Sequence, residues 1–329
     1  LKQKNEIRSK YKLPEHFLLH IGNSDPRKNT KRVLKAFHKY TVKNYDNTKL
    51  VLIGLNNSKL QSILRDLNLS SQLKNKIIIT GYVSDIDLPL IFNMAKLFLF
   101  PSIREGFGIP IIEGMASGTP VITSKTSSMP EVAGNAALLV DPTKTDEIYN
   151  GIVKILSNNR FRNELINNGT ERSKSFSWVN TTKGVFEIYK QLYKEIQPDI
   201  VLSYTIKPNI YSTLAAGSLK IPVINNISGL GTLFIKTTIF SYIAKQLYKI
   251  ALRKSTPTFF QNNDDANLFL QAKLITENKI SVIPGSGVNT EIFQTERKEN
   301  KGKIFLFVGR LIGDKGLREY LDAAKNIIA

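Results

Sequence analysis

Short apolar, β-rich runs alternate with longer helical patterns from one end of the chain to the other, and this alternation constrains the fold more than any other feature. FLLHIG (17–22), KLVLIG (49–54), KIIIT (76–80), LFLF (97–100) and PVIT (120–123) are continuous apolar runs with no polar residue on every second position. A strand of that kind is buried on both faces, which only a parallel sheet covered by crossover helices provides. A second, shorter series begins near Pro198 with DIVLS (199–203), PVINN (222–226), TFFQN (258–262) and KISVIPG (279–285). The predicted class is therefore α/β, with Rossmann-like parallel sheets and helices on both faces. Helix ends are readable between the strands: Asn29 or Thr30 is placed to cap a helix through Tyr40, and Pro110 sits where a first-turn proline belongs. The polar, charged segment 291–303 reads as an interdomain linker.

Composition narrows what such a fold can do. The 329 residues, 42% of them hydrophobic, suffice for two cores. A formal net charge of +19 points to an anionic partner without choosing among nucleic acid, membrane and phosphorylated small molecules. The basic residues are spread along the chain instead of gathered with aromatics, so nucleic acid is not the expected partner. The lack of cysteine removes disulfides, thiolate catalysis and cysteine-ligated zinc. His16, His20 and His38 are the three histidines, and His20, inside an apolar run, is expected to be a packed strand residue, not a catalytic one. No run of 18 apolar residues and no signal-peptide pattern occurs, so the expected location is cytoplasmic. The chain opens on Leu1 instead of Met, so an upstream beginning is expected.

One unit occurs twice. Phe17 to Phe37 and Phe305 to Ala324 share the order apolar strand, Gly, short polar turn, Lys, small polar residue, amphipathic helix. The pattern suggests parts of two related chains joined in one.

The chemistry concentrates in PSIREGFGIPIIEGMASG (101–118), where an apolar strand runs into a loop holding Glu105, Gly106 and Gly108 before a helix starts near Pro110. Glycines let backbone approach a ligand, and a helix N-terminus offers free N–H groups to an anion such as a diphosphate. Glu105 and Glu113 can each accept hydrogen bonds from a different set of hydroxyls. For an arbitrary pair the bland reading, a solvated loop acid and a helix-dipole acid, is the commoner one. The surrounding glycines and proline reverse that balance here.

The pattern E-G-F-G-[IL]-x-x-x-E followed by A-x-G-x-P-V-I resembles the donor-binding signature of GT4-type retaining glycosyltransferases (glycosyl transferases group 1, GT-B fold), and PEVAGNAALLVDP (130–142) resembles the stretch that follows it. The resemblance implies three regions: 1–195 a nucleotide-sugar donor-binding domain, 196–296 a partial acceptor-type domain, and 297–329 a linker with the first strand–helix unit of a second, incomplete donor-type domain. It further implies that Glu105 contacts donor-sugar hydroxyls, Glu113 the ribose, and the amides of Gly106, Phe107 and Gly108 the diphosphate or sugar. Lys28 aligns with the family's phosphate-binding lysine. The usual Gly-Arg pair reads Gly22-Asn23 here, and Arg27 stands in for the missing cation. Gly81, Tyr82 and Val83 fall where the family packs the base. Arg310 and Lys315 match a second, partial phosphate pair.

SYTIKPNIYSTLAA (203–216), NNISGLGTLF (225–234) and FFQNNDD (259–265) look like acceptor-side motifs of bacterial polysaccharide glycosyltransferases. What the resemblance implies is a hexosyltransferase-type enzyme of lipopolysaccharide or capsule synthesis. It would move a sugar from a UDP- or GDP-sugar to a glycan or polyprenyl-diphosphate-linked hydroxyl, with no cofactor and no metal. The PRKN turn is similar to mannosyltransferase-like members and the second half to N-acetylhexosamine transferases. The rival reading is a nucleotide-sugar-binding fusion of two truncated transferases, without turnover. Phe234 to Lys254 places Ile235, Ile239, Ile243 and Leu247 on one stripe, with Lys236, Lys245, Lys249 and Arg253 around it. Such a helix suits either peripheral contact with the inner face of an anionic membrane or a core packed under a solvated basic side.

Overall fold

The computed structural model describes residues 2–44, 47–69, 71–230, 239–285, 287–292, 306–308 and 316–328, without the side chains of 71, 72, 239–241 and 328. Two compact units divide at Thr181/Thr182. In chain order the first holds α1 (Lys2–Lys10), β1 (Phe17–Ile21), α2 (Thr30–Lys43), β2 (Lys49–Ile53), α3 (Asn57–Asp66), α4 (Ser71–Lys74), β3 (Ile77–Gly81), α5 (Leu88–Met94), β4 (Leu97–Phe100), α6 (Ile109–Ala116), β5 (Val121–Ser124), α7 (Met129–Ala133), β6 (Leu138–Val140), α8 (Thr145–Ser157) and α9 (Asn159–Ser173), and α10 (Trp178–Ile196) begins in it. The second continues with β7 (Val201–Tyr204), α11 (Ile206–Ser218), β8 (Val223–Ile227), α12 (Ile239–Lys254), β9 (Thr258–Phe260), α13 (Asn263–Gln271), β10 (Ile280–Val282) and α14 (Leu317–Ile328).

In the first unit the strands form one sheet in the order β3-β2-β1-β4-β5-β6, every pair parallel. Its apolar runs feed both faces. Leu18, Leu50, Leu52, Leu97 and Leu99 enter one core with α2 and α8, while Phe17, Leu19, Val51, Phe98 and Phe100 enter another with α5 and α6. The strand order reverses between β1 and β4, so the loops leaving those two strands splay apart and leave a crevice at the carboxyl edge. β6, inside the 130–142 stretch, is a strand that the sequence reading did not single out.

The second unit carries a four-stranded parallel sheet, β10-β9-β8-β7, that winds in one direction. The α/β class expected from the sequence thus holds in both units. The Asn pair of FFQNN is a helix start, since the Asn262 side chain accepts from Asp265 N at 2.7 Å. The stripe expected of 234–254 lies only partly within the described residues. Ile235, Lys236 and the Ile239 side chain lie outside the described residues, and Ile243 is exposed. The face that α12 buries is Tyr248, Ala251 and Leu252, with Leu247 of the expected stripe partly buried against the same core, and the Tyr248 ring meets Phe269 edge-on at 5.3 Å. Of the repeat, the first copy forms the expected strand, turn and helix. In the second, α14 is formed, whereas Arg310 and Lys315 lie outside the described residues, as does most of the 291–303 linker.

Candidate functional site at the carboxyl edge of the first sheet

The turn leaving β1 is shaped by what lies beneath it. His20 is fully buried; its Nδ1–H donates to Leu99 O at 2.8 Å, and Nε2 lies 3.1 Å from Thr30 Oγ1. Burial pushes its pKa down to about 4 against the help of the Leu99 carbonyl, so the ring is neutral and structural, as expected. A Cβ on Gly22 would stand 2.2 Å from His20 Nε2, so only glycine fits there. The next residues form a 3₁₀ turn, Pro26–Lys28, capped by the Asp25 side chain.

Asn29 occupies the N-cap position of α2, but in a left-handed conformation (φ 59°) and without capping through its side chain, which corrects the expected role. Its buried amide instead donates to Pro101 O at 2.8 Å and to Pro142 O at 2.7 Å. It thereby ties the turn after β1 to the segments leaving β4 and β6. Ile103 N, donating to Arg27 O at 2.7 Å, adds a backbone tie between the same loops.

Across that joint Lys28 meets Glu105. Their Nζ–Oε1 distance is 2.8 Å, both side chains are largely covered, and the ammonium lies 5.1 Å from the centre of the Phe100 ring. Arg27 is held differently: its guanidinium grips Asp25 through Nε at 3.0 Å and Nη2 at 2.6 Å on an exposed surface. The guanidinium holds the Asp25 carboxyl below its ordinary range, and Arg27 is raised in turn.

The Glu105–Gly108 loop is clamped from the segment after β5. Ser127 Oγ donates to Glu105 O at 2.8 Å, and Ser128 Oγ reaches Glu105 O and Phe107 O at 3.1 and 3.0 Å. Gly108, with φ 97°, is the N-cap of α6, and Pro110 stands in its first turn as expected. No side chain caps this helix start, which leaves N–H groups facing the loop. Phe107 is partly exposed and packs edge-on against Phe176.

Glu113 is half-buried on α6, and burial first, then the charge of Asp85, raises its pKa. Its carboxylate opens on a cavity of about 530 Å³ that Asp85, Leu88 and Asn93 also line, and it makes no hydrogen bond to Lys28 or Glu105. Gly81, at φ 71°, ends β3; Tyr82 beyond it is 86% exposed, and Val83 is buried. All of the described candidates therefore stand on strand ends or the helix after β4, and direct contact unites only Lys28 with Glu105. Sequence reasoning missed Asn29 as a tie and Ser127 and Ser128 as clamps; the run of hydroxyls directly after β5 was the readable signal.

Comparison with known proteins places this arrangement. Residues 3–172 match the family described as glycosyl transferases group 1, and residues 152–262 match glycosyl transferase 4-like. O-antigen chain mannosyltransferase B of Escherichia coli is 35% identical over 56% of this chain and 49% of its own length. The serotype-specific mannosyltransferase WbdA of the same species is 31% identical over 58% of this chain and 24% of its own. The chain thus spans about half, or less, of the length of these relatives. A glycosyltransferase structure from Rickettsia africae superposes with a TM-score of 0.50 at 21% identity, covering 59% of this chain and 52% of that one, a likeness of fold.

Proposed function

The chain belongs to the glycosyl transferases group 1 family, and we propose that its first unit binds a nucleoside diphosphate sugar at the β1/β4 crevice and transfers the sugar, with retention, to a glycan hydroxyl. The observation that carries this reading is the Lys28–Glu105 pair, a cation and a carboxylate poised together at the switch point of the sheet. When a diphosphate enters, the Lys28 ammonium turns from Glu105 to the phosphate, and Glu105 is released to accept from a sugar hydroxyl.

In the transfer itself the anomeric carbon–oxygen bond breaks, its electron pair staying on the departing diphosphate. The acceptor oxygen forms the new bond on the same face, and its proton passes to a departing phosphate oxygen. Charge builds on the diphosphate, so catalysis consists of donors aimed at it: Lys28, Arg27 once free of Asp25, and the amides of Gly106, Phe107 and Gly108. Glu113 and Gly81–Val83 are assigned to the ribose and base. The step is written without metal or cofactor. The relatives' names support mannose as the first donor sugar to assay and an O-antigen-type polysaccharide chain as acceptor; the proposal adds GDP or UDP as its carrier, a polyprenyl-diphosphate-linked precursor as a second acceptor, and the inner face of the membrane as the place of work.

Lys28→Ala and Glu105→Ala should each lower turnover by about 10²–10³-fold with the circular dichroism spectrum unchanged. Wild-type turnover in both would end the assignment. The alternative is a nucleotide-sugar-binding fusion of two truncated transferases, without turnover. Calorimetry with UDP- and GDP-sugars followed by a transfer assay separates the two, since binding without product is the mark of the second.

A further inference from the structure

In the second unit α12 and α13 both end where β9 and β10 begin, at the amino edge of the sheet, away from the carboxyl edge where ligands of parallel sheets sit. Between those helix ends lies a cavity of about 440 Å³ lined by Lys249, Arg253, Lys273 and Lys279 over an apolar floor that includes Leu252 and Leu274. Among the described residues no carboxylate lines it; Glu277, on the turn between α13 and β10, is exposed and off its wall.

Helix C-termini attract cations, but here their carbonyls are already served. Lys279 Nζ donates to Leu252 O, Arg253 O and Ser255 O at 3.2, 2.9 and 3.0 Å. α13 closes on itself, with Lys273 N reaching Leu270 O at 2.9 Å and Leu274 N reaching Phe269 O at 3.0 Å. The side chains of Lys249, Arg253 and Lys273 form no hydrogen bond or ion pair with any described residue. Three positive charges thus face one cavity without an internal anion. Off the cavity wall, α12 exposes Tyr242, Ile243 and Ile250 to solvent.

We propose that this cavity is an anion site, separate from the donor crevice, that takes a phosphate group carried on an apolar body. The three cations supply charge-assisted bonds to phosphate oxygens, and the apolar floor of Leu252, Leu270, Leu274 and Ile275 receives the apolar part.

The full chain is to be sedimented with vesicles of phosphatidylcholine alone and with about 30% phosphatidylglycerol, with and without inorganic diphosphate as a soluble competitor. Arg253→Glu combined with Lys273→Glu should weaken binding about tenfold, whereas the charge-matched pair Lys183→Glu with Lys194→Glu on α10 should change it about twofold or less. Arg253→Lys with Lys273→Arg should restore it. Preference for the anionic vesicles, weakened by diphosphate, assigns the site to a lipid headgroup. Saturable diphosphate binding lost in the glutamate pair, without vesicle preference, assigns it to a soluble phosphorylated ligand. Equal losses in the two glutamate pairs, or binding of neither probe, overturns the proposal.

Discussion

Lys28 and Glu105 lie 77 positions apart in sequence and satisfy each other at 2.8 Å. Each keeps the other from being buried without a counter-charge, and an entering diphosphate must exchange one partner for another instead of creating a contact from nothing. His20, just beneath, shows the opposite use of a titratable group, held neutral by burial. Unfolded, it binds a proton below about pH 6.5; folded, it does so only near pH 4. The unfolded chain therefore binds more protons in that window, and stability falls as pH drops from about 6.5 towards 4, by about 3 kcal/mol in all. Urea midpoints measured across that range should fall steadily in the wild type. In His20→Gln the histidine part of the slope should vanish; an unchanged slope would mean that another group controls it.

At the scale of elements, the turn between β1 and α2 is where local and distant forces meet. Gly22, Pro110 and Gly108 were legible because their signals are local: a missing Cβ, a fixed φ, a positive φ. Asn29 was read as a helix cap, a local role, yet its amide serves carbonyls of Pro101 and Pro142, distant in sequence and near only after the sheet forms. Asn29→Ala leaves two buried carbonyls without donors and replaces a residue that tolerates the left-handed region with one that tolerates it less well, so it should cost about 2–4 kcal/mol in denaturant unfolding. Asn29→Gly should be less costly by about 1 kcal/mol, because only the conformational strain is relieved. Equal losses in the two would show that backbone conformation contributes nothing.

For the molecule as a whole, the two sheets differ in how they end. The first unit covers its strands on both faces, and its core side chains come from every strand. In the second, β7 forms one edge and leaves Leu202 59% and Tyr204 55% exposed. An apolar, parallel-paired edge of that kind is a template for pairing with another chain. Concentration-dependent association is expected in sedimentation velocity, and Leu202→Lys should reduce it without lowering the thermal midpoint; association that is indifferent to Leu202→Lys would exclude the β7 edge as its cause.

The strand positions apart from β6, the α/β class and the glycine-rich loop before α6 were determined by the sequence alone, because hydrophobic period and backbone freedom are properties of a few neighbouring residues. Tertiary structure decided which residues meet. The reversal of strand order between β1 and β4 brought Lys28 to Glu105 and left Glu113 on a separate cavity. Packing of Tyr248 against Phe269 rotated α12 so that Lys249 and Arg253 face a groove shared with α13. Those pairings depend on how crossovers bring distant segments together and on which large side chain captures the buried face, and neither is written in any short stretch of the chain.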